Sequence, residues 1–176
     1  MQDNLPLIYL SILLILLGGA AIFIFRQILR TRRIETTFSR LHKKLKEEQG
    51  TAEEYYELGS LYLQKKLFVQ SISLFQKALK AGNEIEPENQ ALIYNALGYA
   101  YLAQEQLDLA IRQYKEALKL YPEYVMALNN LGNAYERKQL TAQALEAYEQ
   151  VLKVEPKNDT AKRRAESLRK RLVTSN

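Results

Sequence analysis

The chain has 176 residues, 47% of them apolar and 26% charged, and its 25 basic and 20 acidic groups leave a formal net charge of +5. That length holds one ordinary domain and an appendage. With no cysteine and one histidine, His42, it lacks the material for disulfides, thiolate metal sites, iron–sulfur clusters and thiol nucleophiles.

The basic excess is unevenly placed. Residues 1–25 carry −1, residues 26–46 carry +7, residues 47–158 carry −5 and residues 159–176 carry +4. A positive balance made at the two flanks of an acidic centre argues against a nucleic-acid surface spread over the fold. His42 lies in a run of lysines and reads as a solvated surface residue.

Residues 1–4 read as a short tail. Leu5–Phe25 then contains no charge, and 14 of its 21 positions are Leu, Ile or Phe. As a helix it would extend about 30 Å, the thickness of a bilayer's hydrocarbon core, so residues 5–25 are expected to span a membrane. A cleaved signal peptide is the competing reading, but no positive charge precedes the run and no small-x-small cleavage site follows it. Arg26, Arg30, Arg32 and Arg33 come directly after the apolar run. The positive-inside bias therefore places the carboxy-terminal bulk on the cytoplasmic side, with residues 1–4 translocated.

Residues 26–50 read as a basic juxtamembrane helix, because no Gly or Pro intervenes before Gly50. Ile34, Phe38, Leu41 and Leu45 make an apolar stripe on it. That stripe suits either packing on the domain that follows or resting on anionic headgroups.

Beyond Gly50 the apolar pattern repeats. In residues 91–124, Tyr94, Leu97, Gly98, Tyr101, Ala110, Tyr114, Ala117 and Pro122 occupy positions 4, 7, 8, 11, 20, 24, 27 and 32 of a 34-residue unit. In residues 125–158, Leu128, Leu131, Gly132, Tyr135, Ala144, Tyr148, Val151 and Pro156 hold the same positions. Residues 52–85 give Tyr55, Leu58, Gly59, Tyr62, Ser71, Phe75 and Ala78. Gly59 precedes Gly98 by 39 residues, and the five extra positions fall among Gly82, Asn83, Glu84, Glu86, Pro87, Glu88 and Asn89, expected to form a polar loop or an extended helix end. Small residues at positions 8, 20 and 27 let two helices approach, and the proline at position 32 stops the second.

Residues 159–172 are expected to cap the last repeat, with Asp159 as N-cap and Ala161, Ala165, Leu168 and Leu172 facing inward. Residues 173–176 then form a tail. The basic groups on this helix suit a solubilising outer face or an anionic surface.

These motifs resemble the tetratricopeptide family over residues 52–158. The resemblance implies an all-α superhelix of three helix-turn-helix repeats and a capping helix, whose first helices line a groove that binds segments of partner proteins. Carried over by position, the groove residues are Glu53, Tyr56, Glu57 and Ser60 from the first repeat, and Asn95 and Tyr99 from the second. The third supplies Asn129, Asn130, Asn133, Glu136 and Arg137. Asparagine suits such a groove because its amide donates to and accepts from peptide backbone alike. The chaperone-binding subfamily instead clamps a carboxylate with lysine and asparagine where Tyr56 and Ser60 stand, which argues against that role.

The whole layout also resembles the cyanobacterial and plastid-encoded family of membrane-anchored tetratricopeptide proteins that assist photosystem I assembly. It implies a single-pass protein of the thylakoid membrane, its repeats on the cytoplasmic or stromal side, that aids assembly or stability by binding subunits of the complex. A generic bacterial inner-membrane adaptor in secretion, pilus or envelope biogenesis shares the same physics. An enzyme is not expected: there is no cysteine, the one histidine sits in a basic run, there is no Gly-rich phosphate loop and no pair of carboxylates in an evident apolar pocket, and Glu53 and Glu57, one turn apart, read as a recognition surface. No cofactor, metal, nucleic acid or small-molecule substrate is expected.

Overall fold

The computed structural model describes residues 5–81 and 85–174. Residues 1–4, Gly82, Asn83 and Glu84 of the expected loop, and residues 175–176 of the expected tail lie outside them. The chain divides into two units, Met1–Lys46 and Glu47–Asn176.

In the first unit one helix, α1 (Leu5–Glu47), runs unbroken for 43 residues. Its only proline, Pro6, lies in the first turn, where a missing N–H costs nothing. Tyr9, Ile15, Leu16 and Phe23 are all more than three-fifths exposed, so the apolar part presents hydrophobic surface on every side. Among the described residues α1 is the one helix long and apolar enough to cross a membrane. Arg26, Arg30, Arg32 and Arg33 follow on it, all exposed.

The second unit is a succession of antiparallel helix pairs: α2 (Ala52–Gln64) with α3 (Phe68–Ala81), α4 (Pro87–Ala103) with α5 (Leu107–Leu120), and α6 (Val125–Arg137) with α7 (Thr141–Val154). α8 (Asp159–Thr174) closes the stack on α7. No strand occurs among the described residues.

Three ends explain the boundaries. Thr51 caps α2 through a reciprocal box, its hydroxyl accepting from the Glu54 N–H at 3.3 Å while the Glu54 carboxylate accepts from the Thr51 N–H at 3.2 Å. α4 begins at Pro87, four residues ahead of the expected repeat start, since proline's fixed φ suits the first helical position. Pro87, Glu88 and Asn89 are therefore helix and not loop. At α8 the capping side chain is Asn158, whose Oδ1 accepts from the Ala161 N–H at 3.0 Å, so Asp159 is displaced from the expected cap into the first turn. With no Gly or Pro to stop it, α8 continues through Val173 and Thr174, where a tail was expected.

Within each pair the turn is the same. Lys66, Glu105 and Gln139, all at position 15, adopt φ of 59°, 60° and 62°. Each lets the next residue's N–H reach back to the tyrosine carbonyl at position 11, at 2.9–3.0 Å, closing the first helix with a Schellman-type end.

The pairs are locked by one recurring contact. A Cβ placed on Gly59 would lie 2.8 Å from the Phe75 ring, one on Gly98 2.6 Å from Tyr114, and one on Gly132 2.8 Å from Tyr148. The position-24 ring thus presses on the first helix's backbone, where only glycine leaves room. Phe75, Tyr114 and Tyr148 are at most 2% exposed. In the first pair Ser71 replaces the usual alanine, and its buried hydroxyl donates to the Gly59 carbonyl at 2.9 Å.

Between repeats, Ala91, Ala117 and Ala127 form a fully buried patch with Tyr94, Leu118, Leu120 and Tyr124 packed on it. The ring contact sets a test. In Gly98→Ala, overpacking of about 1–3 kcal/mol opposes a helix-propensity gain of about 1 kcal/mol. Thermal melts of the full chain should show net destabilisation, and in a double-mutant cycle Gly98→Ala should cost less in a Tyr114→Leu background, where the clashing ring is gone.

Candidate functional site

The first helices α2, α4 and α6 carry every residue assigned by position to the groove, and the structure divides these residues into two groups. The first group is committed to bonds within the stack. Asn95 is 6% exposed; its amide nitrogen donates to the Tyr124 hydroxyl at 3.3 Å and its Oδ1 accepts from Asn130 Nδ2 at 2.9 Å. Tyr124 in turn meets the Met126 sulfur at 3.9 Å. This chain stitches α4 to α6, so Asn95 and Asn130 fix the spacing of the second and third repeats. Burial raises the Tyr124 hydroxyl's pKa above its ordinary value, with the neighbouring Tyr56 adding to the shift, which keeps the hydroxyl protonated.

Glu136 and Arg137 act similarly. The Glu136 carboxylate accepts from the Tyr148 hydroxyl at 2.8 Å and from Arg164 Nη1 at 3.5 Å, tying α6 to α7 and α8. Arg137 donates to the Leu102 carbonyl at 3.0 Å and pairs with Glu105, tying α6 to the end of α4. Asn129 donates to its own helix at the Val125 carbonyl, 3.1 Å away. Its Oδ1 is buried with no hydrogen-bond partner.

The second group faces outward. Glu53, Glu57, Tyr99 and Asn133 are exposed, and Tyr56 and Ser60 are half-buried. Tyr56 leans on Phe75 at 5.7 Å between ring centroids. Backbone and Thr51 hydrogen bonds at the start of α2 hold the Glu53 carboxyl below its ordinary pKa. A cleft of about 140 Å³ opens beside these residues between α2 and α4, lined by Ala52, Glu53, Tyr56, Ile85, Asn89, Leu92 and Ile93.

Leu92 and Met126 were missed by the sequence reading. Both occupy position 2, equivalent to Glu53, and are 37% and 58% exposed. Their register was visible, but isolated apolar residues on amphipathic helices read as core.

No cluster of three or more metal-ligating side chains exists among the described residues. His42 stacks on Phe38 within α1 at 5.7 Å. The arrangement offers hydrogen-bonding and apolar surface along three parallel helices, the chemistry of segment recognition.

The tetratricopeptide repeat family matches residues 50–123 and again residues 95–160. The ycf37 protein of Cyanophora paradoxa is 38% identical over 142 residues, covering 81% of this chain and 82% of its own. This chain belongs to the ycf37 family of tetratricopeptide proteins. The chloroplastic tetratricopeptide protein PYG7 of Arabidopsis thaliana is 36% identical across 96% of this chain, which spans 56% of PYG7's length. Among solved structures, MamA superposes with a TM-score of 0.71 at 24% identity, over 79% of each chain. The first repeat domain of Spaghetti (RPAP3), bound to the HSP90 peptide SRMEEVD, gives 0.64 at 23% identity over 72% of this chain and 96% of its own.

Members of the family are thus built on a fold that binds protein segments, and this chain is a protein-interaction scaffold. The Asn95–Asn130 bond gives a test of the stitched seam. Asn95→Ala should cost about 2 kcal/mol, since it removes two bonds and leaves buried partners unsatisfied. A double-mutant cycle with Asn130→Ala, read by chemical denaturation, should give a coupling of about 1 kcal/mol; additive losses would show that the bond does not hold the repeats.

Proposed function

We propose that this protein is a membrane-anchored assembly factor that aids the assembly or stability of photosystem I at the thylakoid membrane. α1 anchors it, Arg26, Arg30, Arg32 and Arg33 hold the basic end of the span on the cytoplasmic or stromal side, and the exposed face of α2, α4 and α6 binds subunits of the complex. The observation that carries the reading is the combination, in one ycf37-family chain, of an apolar spanning-length helix with a repeat groove that keeps free recognition groups. The chloroplast address of PYG7 supports the thylakoid over a bacterial envelope.

Tethering supplies the mechanism. A groove confined to the membrane surface meets emerging subunits at an effective concentration far above that of a freely diffusing scaffold, so modest affinity suffices. The scaffold needs no chemistry of its own: it covers apolar segments until native contacts replace it.

Deleting the gene should lower the photosystem I content of isolated thylakoids while photosystem II content holds, and re-expression of the full chain should restore it. Normal photosystem I content in the deletion strain, under stress as well as ordinary growth, would refute the proposal.

A further inference from the structure

The groove helices differ in charge from the helices behind them. α2, α4 and α6 carry five carboxylates and one cation, whereas α3, α5 and α7 carry four carboxylates and six cations. The single groove-side cation, Arg137, is already held by Glu105 and the Leu102 carbonyl. Of the carboxylates, Glu54 closes the α2 cap and Glu136 bonds to Tyr148 and Arg164. Glu53, Glu57 and Glu88 remain, all exposed; Glu53 and Glu57 lie one turn apart on α2, without a cationic partner among the described residues. The hydrogen bonds at the start of α2 keep Glu53 ionised.

Beside these carboxylates lies the α2–α4 cleft, whose walls are mostly apolar, with Glu53 and Asn89 as its polar members. Its volume of about 140 Å³ suits one large aliphatic or aromatic side chain, given that a cavity of about 150 Å³ admits benzene. Beyond the cleft, Leu92, Tyr99 and Met126 continue exposed apolar surface across the second and third repeats.

We propose that the groove binds a basic amphipathic protein segment, seating an aliphatic or aromatic anchor in the α2–α4 cleft while lysines or arginines on the segment face Glu53 and Glu57. The inference rests on the groove being the partner-binding face and adds the chemistry of what it takes. An acidic segment finds no free cation on these helices and meets like charge at the cleft. The attraction also speeds encounter and weakens with salt.

The test uses the full chain in uncharged detergent, with fluorescence anisotropy of three labelled synthetic peptides. One carries Leu and Phe at helical spacing among lysines and arginines; the second replaces its basic residues by Glu; the third replaces its apolar residues by Ser. The first should bind, the other two at least about tenfold more weakly. Glu53→Gln with Glu57→Gln should weaken the first peptide about fivefold and flatten its salt dependence. Leu92→Ser should weaken it while leaving the salt dependence intact, with helicity by circular dichroism unchanged in both variants.

Equal or tighter binding of the acidic peptide, or native affinity in both variants, overturns the proposal. So does self-association of the chain that the basic peptide fails to displace, since the groove would then hold a second copy. If the acidic peptide wins while deletion of the gene still lowers photosystem I, the assembly role stands and only the charge assignment falls. If the basic peptide binds as described and deletion leaves photosystem I normal, the groove chemistry stands and the assembly role falls.

Discussion

In each repeat a ring from the second helix lies against the bare backbone of a glycine on the first, close enough that a single added carbon would meet it below 3.0 Å. This contact decides which face of each helix is buried. Once Phe75, Tyr114 and Tyr148 hold the second helices against one side of α2, α4 and α6, the opposite side of those helices is left for solvent or a partner. The left-handed residues Lys66, Glu105 and Gln139 keep the turns identical, so the same face is presented three times over.

The buried tyrosines also show how the repeats depart from identity. Tyr148 finds an acceptor in Glu136, and burial together with that carboxylate pushes its pKa up. Tyr114, in the same position one repeat earlier, has its hydroxyl buried without a hydrogen-bond partner, because Leu102 stands where the third repeat has Glu136. Burial raises its pKa too. The third repeat therefore exchanges groove-facing polarity for links to the capping helix, while the first repeat keeps Glu53 and Glu57 exposed.

The helical stack was legible in the sequence because packing residues recur at fixed positions, and periodicity reports packing. Asn158 as the α8 cap and Pro87 as the α4 start were not, since both depend on which of several adjacent candidates meets the backbone. The site was less readable still. Position numbers place Asn95, Asn130, Glu136 and Arg137 on the groove helices but are silent on the bonds these residues make to other helices. Such bonds join residues 12 to 35 positions apart and leave no trace in a local pattern. Tyr99 and Asn133 stay exposed, while Tyr56 is half-buried against Phe75. Leu92 and Met126 show the converse, as apolar residues whose exposure only the stack reveals.

The proposed mode of binding puts the photosystem partner on the face carrying Tyr99 and not on the helices behind it. Photo-cross-linking in native thylakoid membranes tests it, with a benzophenone amino acid replacing Tyr99 on α4 in one strain and the exposed Arg112 on α5 in another. Binding at that face should leave a photosystem I subunit joined to the probe at position 99 and absent from the probe at position 112. Cross-links of equal yield from both positions, or from position 112 alone, would contradict it.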